Sequence, residues 1–123
     1  TDIHLGVQAA RQLAHLDIGQ TGVVKQGVIV AVEALEGTDA TIMRAGELAG
    51  SGVVVVKMAS PQQDMRFDLP VLGPQTISVL KRAGVSCLAV EAQKTLLLEK
   101  VQLLAQADDA HVCLLGVSPA ALA

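Results

Sequence analysis

Aromatic residues are nearly absent from this chain, which contains Phe67 and neither Trp nor Tyr among its 123 residues. Proteins that bind single-stranded nucleic acids stack the bases on aromatic side chains. The chain also lacks an excess of positive charge, because its formal net charge is -3, whereas a nucleic-acid-binding domain carries a basic surface. We therefore expect no nucleic-acid partner, and a core built from aliphatic side chains.

The common signatures of nucleotide and metal chemistry are missing as well. The sequence has no GxxxxGK[ST], no GxGxxG after a strand, no GxSxG, and neither CxxC nor HExxH. Its three histidines are scattered: His4 and His15 are spaced too widely for one metal site, and His111 precedes the last predicted strand. We expect each histidine at the surface rather than in a metal site.

Long hydrophobic runs are lacking too, since no apolar run approaches the roughly 18 residues of a membrane-spanning helix. The two cysteines, Cys87 and Cys113, lie within short apolar segments and are expected to be buried, reduced thiols. Reduced thiols are typical of intracellular proteins. The expected location is therefore an intracellular compartment.

Apolar strand-like segments alternate with helical segments along the chain. Residues 28–33 are apolar until the last one, a pattern typical of a strand buried on both faces in the middle of a sheet. Turn residues predict antiparallel hairpins at residues 26–27 and 92–94. The predicted helices cover residues 2–16, 38–49, 73–83 and 99–107, and the predicted strands cover residues 22–25, 27–34, 53–56, 86–91, 95–98 and 112–117.

This alternation predicts an α/β fold, a single compact domain with a mixed, largely buried sheet flanked by about four helices. The domain is expected to cover residues 1–117, with residues 118–123 as a frayed tail. Because the chain begins with Thr and its first residues already have a helical pattern, we expect it to be part of a longer protein.

Charged residues make up 17% of the chain, and many gather in two predicted loops. The first loop follows residues 28–33 and contains Glu33, Glu36 and Asp39, with Thr38 as the predicted N-cap of the next helix. Ligands of open α/β sheets bind beyond the carboxyl ends of strands, and a helix N-terminus attracts anions. The plain alternative is that Asp39 merely stabilises the helix dipole and that the glutamates are solvated.

The second loop follows Lys57, which ends the strand predicted at residues 53–56. Asp64, Arg66 and Asp68 alternate within it, so an extended backbone would place their side chains on one side. Lys57 and Arg66 can bind phosphate oxygens, and carboxylates suit Mg²⁺ or Mn²⁺. The plain alternative is a solvated strand with a salt-bridged face and ordinary turn residues.

Three long segments resemble a known family. They are VEALEGTD at residues 32–39, KMASPQQDMRFDLPVLGPQT at residues 57–76, and GVSCLAVEAQKTLLLEK at residues 84–100. Together with the N-terminal region they resemble the C-terminal domain of the UDP-2,3-diacylglucosamine pyrophosphatases that are unrelated to calcineurin-like metallophosphoesterases. The resemblance covers nearly the whole chain.

The resemblance implies a Mg²⁺-dependent reaction in lipid A biosynthesis, in the cytoplasm and at the inner-membrane surface. Water cleaves the pyrophosphate of UDP-2,3-diacylglucosamine to give UMP and 2,3-diacylglucosamine 1-phosphate. The family has two domains that hold the lipid between them, so an N-terminal domain of the same protein would share the site. We therefore expect this chain to be inactive by itself.

By the resemblance, both loops fall in the family's functional stretches, and one essential aspartate lies in the second loop, either Asp64 or Asp68. From what the residue types allow, we expect the catalytic residues to be Asp64, Asp68, Arg66 and Lys57; the substrate-binding residues to be Thr38, Gln63, Arg66 and Lys57; and the metal ligands to be Glu36, Asp39 and Asp64, for Mg²⁺ or alternatively Mn²⁺.

Two other functions stay open from the sequence. The chain can be a non-catalytic dimerisation or lid domain, or a module that binds a sugar phosphate without hydrolysing it. A homodimer and a peripheral contact with the membrane are compatible with each reading.

Overall fold

Four helices and seven strands are present in the part of the chain that the computed structural model describes, which is residues 2–59, 71–72, 74–91, 96–97 and 100–117. The helices α1 to α4 are Asp2–His15, Thr38–Ala49, Pro74–Ala83 and Lys100–Asp109. The strands β1 to β7 are Thr21–Lys25, Val28–Val32, Val53–Lys57, Val71–Leu72, Val85–Glu91, Leu96–Leu97 and Cys113–Val117. The predicted α/β class is confirmed, whereas the predicted tail at residues 118–123 lies outside the described residues.

Five of the strands form a mixed sheet in the order β2-β1-β3-β5-β7. Strand β1 is antiparallel to both of its neighbours, and β3, β5 and β7 are parallel to one another. Strands β2, β3, β5 and β7 therefore all point in the same direction. We call the edge at which these four strands end the carboxyl edge.

The helices cover the two faces of this sheet unequally. On one face, Val7 and Ala10 of α1 pack against Val56 of β3 and the following Met58. On the other face, side chains of α2, α3 and α4 form a larger cluster with Val55 and other strand residues. Apolar side chains at helical spacing explain this arrangement, because each helix buries one stripe against the sheet. No helix in the described part of the chain is long and apolar enough to cross a membrane.

Strand β2 lies at an edge of the sheet, so the prediction of a central strand at residues 28–33 is wrong. Its first two residues project beyond the helices, and the exposed fractions are 62% for Val28 and 43% for Ile29. Only Ala31, which packs within the larger core cluster, is fully buried in this strand. A continuous apolar run therefore does not identify a central strand.

The predicted hairpin at residues 92–94 is also wrong. Strand β6 pairs in parallel with β4 in a separate two-stranded sheet, and β5 is flanked by β3 and β7. Strand β5 forms parallel ladders with β3 on one edge and with β7 on the other, so neither edge is free to pair with β6. The first hairpin, between β1 and β2, is confirmed.

The cysteines are free thiols, as expected, but they are less buried than expected. Cys87 is half-buried and Cys113 is exposed, because Cys113 lies in the edge strand β7. The two residues are direct neighbours in the β5–β7 register. Burial, together with the adjacent Cys113 thiol, raises the pKa of the Cys87 thiol to about 11, which keeps this thiol protonated at neutral pH.

Gly6 lets α1 approach the sheet closely, and its replacement by Ala is expected to lower the free energy of unfolding. A Cβ at this position would collide with the side chain of Val56, which is fully buried. Overpacking costs about 1–3 kcal/mol, while Ala is favoured over Gly in a helix by about 1 kcal/mol. We expect a net loss of about 1 kcal/mol in denaturant unfolding. The exposed Gln8→Ala change on the same helix is the control, and an unchanged midpoint for Gly6→Ala would contradict close packing.

Candidate functional site

The carboxyl edge collects charged residues from three strands and the start of one helix. Glu33 follows β2, Lys57 ends β3 and Glu91 ends β5. Helix α2 begins at Thr38, five residues after Glu33. This edge is the usual ligand-binding position of an open α/β sheet.

Glu33 joins three elements at this edge. Its Oε1 accepts a hydrogen bond from the backbone N–H of Gln20 at 2.9 Å, and its Oε2 accepts one from Thr38 Oγ1 at 3.4 Å. Its own backbone N–H donates to the carbonyl of Thr21 at 2.9 Å. Glu33 therefore fixes the start of β1, the end of β2 and the first residue of α2 relative to one another.

The N-cap of α2 is Gly37, so the prediction that Thr38 is the cap residue is wrong by one position. Gly37 has φ 91°, a left-handed conformation that glycine adopts without steric cost. The hydroxyl of Thr38 lies 3.4 Å from that of buried Thr21 instead of capping the helix. No side chain caps α2 by a hydrogen bond among the described residues, and amides of its first turn thus remain available to an anion.

Glu36 lies in the loop between β2 and α2, and its side chain links the loop backbone to α2. Its Oε1 accepts from the Ala34 N–H at 2.7 Å, and its Oε2 lies 3.3 Å from Arg44. Arg44 also donates to the Val32 carbonyl at 3.0 Å. The Ala34 hydrogen bond, with a smaller contribution from Arg44, holds the pKa of Glu36 below its usual value. The carboxylate is therefore ionised at neutral pH, and both of its oxygens are engaged.

Lys57 and Asp39 are less constrained. Lys57 is half-buried, and its ammonium group forms no hydrogen bond or ion pair with another residue of the described ranges. The residues on both sides of it in the chain, Val56 and Met58, are buried. Asp39 is exposed in the first turn of α2. The Lys57 ammonium group is thus available to a ligand while its backbone is fixed by the core.

The structure brings together four of the predicted site residues, namely Glu36, Thr38, Asp39 and Lys57, on the carboxyl edge. Gln63, Asp64, Arg66 and Asp68 lie outside the described residues. Their segment follows Ala59, which the structure places at this same edge. The Ala59 N–H donates to Glu91 Oε1 at 3.1 Å.

Glu91 was missed as a candidate by the sequence reasoning. It ends a strand just as Lys57 does, and Lys57 is paired with Val90 in the parallel β3–β5 register. A signal was therefore present in the sequence, as a charged residue at the end of an apolar strand.

Within the described residues, no group of three or more His, Cys, Asp or Glu residues could hold a metal ion. The two described carboxylates that were predicted as metal ligands, Glu36 and Asp39, do not complete a site without further donors. Mg²⁺ is often bound by one or two carboxylates together with substrate phosphates. The described residues fit such a partial, substrate-completed site better than a preformed one.

We expect the thermal unfolding of this chain to be cooperative and unchanged by EDTA or by a reductant. Its described core is aliphatic, its cysteines are free, and its described carboxylates form no closed metal site. Circular dichroism or calorimetry with and without each reagent checks this expectation. Loss of the transition on chelation would show that a metal holds the fold together.

A depression of about 310 Å³ lies at the opposite edge of the sheet, where α2 and α3 end. Its lining includes Met43, Glu47, Ser51, Lys81 and Arg82. Of the predicted site residues, those that the structure describes do not line it. The depression is an alternative location for a ligand, so binding experiments can compare it with the carboxyl edge.

Comparison with known proteins agrees with the sequence resemblance. The family model described as the LpxI C-terminal domain matches residues 1–115. The UDP-2,3-diacylglucosamine pyrophosphatase LpxI of Caulobacter vibrioides is 39% identical over 127 residues, which cover 96% of this chain and 45% of that protein. The chain thus spans a little under half the length of this curated relative.

A solved structure with a similar fold is the apo form of dCMP deaminase from the cyanophage S-TIM5. The TM-score is 0.56 at 12% sequence identity, and the match covers 92% of this chain and 94% of that one. At this identity the similarity concerns the fold alone.

Proposed function

This chain belongs to the LpxI C-terminal domain family, and on that premise we propose that it is the C-terminal part of a UDP-2,3-diacylglucosamine pyrophosphatase. The full-length enzyme would hydrolyse the pyrophosphate bond to give UMP and 2,3-diacylglucosamine 1-phosphate, a step of lipid A biosynthesis. An N-terminal domain of the same protein would complete the site. The activity named for the Caulobacter relative supports the substrate, and the carboxyl edge supports the position of the site in this domain.

The observation that carries the proposal is that Lys57 and the start of α2, which no side chain caps, both lie at the carboxyl edge of the sheet. Lys57 supplies a full positive charge, and the first-turn amides of α2 supply hydrogen-bond donors and the positive end of the helix dipole. Both features favour phosphate oxygens. A pyrophosphate, which carries several negative charges, would be attracted by both groups.

Exposed apolar side chains accompany this charged edge. Leu35 is fully exposed in the loop between β2 and α2, and Leu16 and Ile18 are exposed in the segment that leads into β1. An apolar surface beside a phosphate site fits a substrate that carries both a pyrophosphate and two acyl chains. The same surface fits a peripheral contact at the inner-membrane surface on the cytoplasmic side.

A divalent cation, Mg²⁺ or alternatively Mn²⁺, belongs to the proposed reaction. Asp39 and Glu36 in the first loop and Asp64 in the second would hold it together with substrate oxygens, since hard cations prefer oxygen ligands. Asp39 is exposed and accessible to a cation, whereas coordination by Glu36 would replace one of its contacts with Ala34 or Arg44. When bound, the cation would neutralise charge on the phosphate oxygens.

The residues of the chain would share the remaining tasks. Lys57 and Arg66 would stabilise the charge that develops on the phosphoryl oxygens. Asp64 or Asp68 would orient the attacking water and accept its proton. Thr38 and Gln63 would contact the substrate.

The proposal is tested by UMP release from UDP-2,3-diacylglucosamine with the purified full-length protein. We expect turnover with Mg²⁺, none with EDTA, and none from this chain alone. No UMP release by the full-length protein would overturn the proposal. Thermal stabilisation by UMP or inorganic phosphate without turnover would then identify a binding module, and no stabilisation would favour a lid or dimerisation domain.

A further inference from the structure

Two successive backbone amides are held just beyond the end of β3. The N–H of Met58 donates to the carbonyl of Gln20 at 2.9 Å, on the β1 side. The N–H of Ala59 donates to the side-chain Oε1 of Glu91 at 3.1 Å, on the β5 side. The chain is therefore fixed on both sides for two residues after the last ladder pair, Lys57 with Val90.

The Glu91 contact is the more specific of the two. In a parallel ladder a backbone carbonyl accepts from the next strand, whereas here a carboxylate oxygen 32 residues away along the chain is the acceptor. The Glu91 side chain thus extends the β3–β5 connection at the point where the predicted catalytic segment begins.

We propose that Glu91 is a positioning residue that holds Ala59, and through it the neighbouring Lys57, in the arrangement needed for phosphoryl transfer. This inference rests on the proposed function. Misplacement of a reacting group by about 1 Å can cost on the order of a hundredfold in rate. A residue that fixes the backbone two positions from the phosphate-binding lysine therefore affects turnover without touching the substrate.

Two substitutions separate positioning from a direct effect of charge. Glu91→Gln keeps a side-chain oxygen that can accept from Ala59 but removes the negative charge. Glu91→Ala removes the acceptor. Glu47→Gln and Glu47→Ala are the matched controls, since Glu47 is exposed near the end of α2 and lines the depression at the opposite edge.

The test measures kcat and KM for UMP release and amide hydrogen exchange at Ala59, all in the full-length protein with Mg²⁺. For Glu91→Ala we expect kcat to fall by about tenfold or more at nearly constant KM, with faster exchange at Ala59. For Glu91→Gln we expect kcat and exchange close to wild type. The Glu47 variants should change neither.

The possible outcomes are distinguishable. Wild-type kcat in Glu91→Ala, with exchange at Ala59 accelerated, would overturn the positioning role. A Glu91→Gln variant as slow as Glu91→Ala, with slow exchange at Ala59 retained, would overturn it by assigning a direct effect to the charge. Absence of turnover in the wild type and in the Glu47 controls would instead overturn the proposed function, and this inference with it.

Discussion

Replacing Lys57 by Met in the full-length enzyme is expected to lower kcat for UMP release by about 100- to 1000-fold, the loss typical when one group that stabilises a developing oxyanion is removed. Lys57 is placed for this role by its backbone, which is the end of a strand whose neighbouring residues are buried. Its side chain makes no ion pair with the described residues. The positive charge is therefore available to a phosphate at a fixed position.

Because the Lys57 side chain makes no ion pair with the described residues, its replacement by Met should change the stability of the fold little. Met retains an unbranched apolar side chain that can cover the surface that the Lys57 stem covers now. We expect the melting temperature of Lys57→Met to stay near that of the wild type. Lys81→Met is the matched control, because Lys81 is exposed in the last turn of α3 at the opposite edge. Equal kcat values for the two variants would remove Lys57 from the mechanism.

Substitution of Asp64 or Asp68 by Ala is the second large effect that we expect, with kcat lowered at least about a hundredfold for the essential one, the scale of a lost general base. Both residues belong to the long second motif and lie outside the described residues, so their roles rest on sequence pattern and family resemblance. The described structure places Ala59, which precedes their segment in the sequence, at the carboxyl edge, where its N–H donates to Glu91.

Kinetic comparison of both aspartate variants decides which residue is essential. Asp108→Ala is the control, since Asp108 is exposed near the end of α4 at the opposite edge. We expect substrate binding and melting temperature to change little in either variant. Near-normal turnover in both would exclude this segment from the chemistry and leave Glu36 and Asp39 as the better candidates.

Local patterns in the sequence predicted the helices well. The predicted bounds of α2 are those observed, because Gly37 before it and Gly50 after it both need left-handed backbone conformations that end a helix. The carboxyl-edge position of Lys57 and Glu36 was also predictable. Each follows an apolar strand, and parallel strands bring their ends to one edge.

Strand partners were harder to predict than strand positions. The apolar run of β2 does not reveal that Val28 and Ile29 remain exposed, because burial depends on which helices reach the strand. A short polar segment after β5 has the same pattern whether it forms a hairpin or leads to a strand elsewhere. The contact between Glu91 and Ala59 depends on the parallel pairing of β3 with β5, and the sequence analysis assigned no partner strand to β3.

Side-chain partners across the fold were not predictable from spacing. Glu33 and Thr38 are five residues apart, yet their contact depends on Gln20 and Thr21, which come from another strand. The hydroxyl of Thr38 was therefore assigned to the helix cap when it in fact faces Glu33. Residue type and position identify a candidate site, whereas the hydrogen bonds that orient it come from the tertiary structure.

The location of the site is tested most directly by backbone amide chemical shifts of the full-length protein, titrated with UMP and with 2,3-diacylglucosamine 1-phosphate in the presence of Mg²⁺. The carboxyl edge and the depression between α2 and α3 lie at opposite edges of the sheet, so their amides report separately. We predict that the largest shifts fall on Thr38, Asp39 and Ala59. Shifts confined to Ser51, Lys81 and Gly84 would contradict a phosphate site at the carboxyl edge.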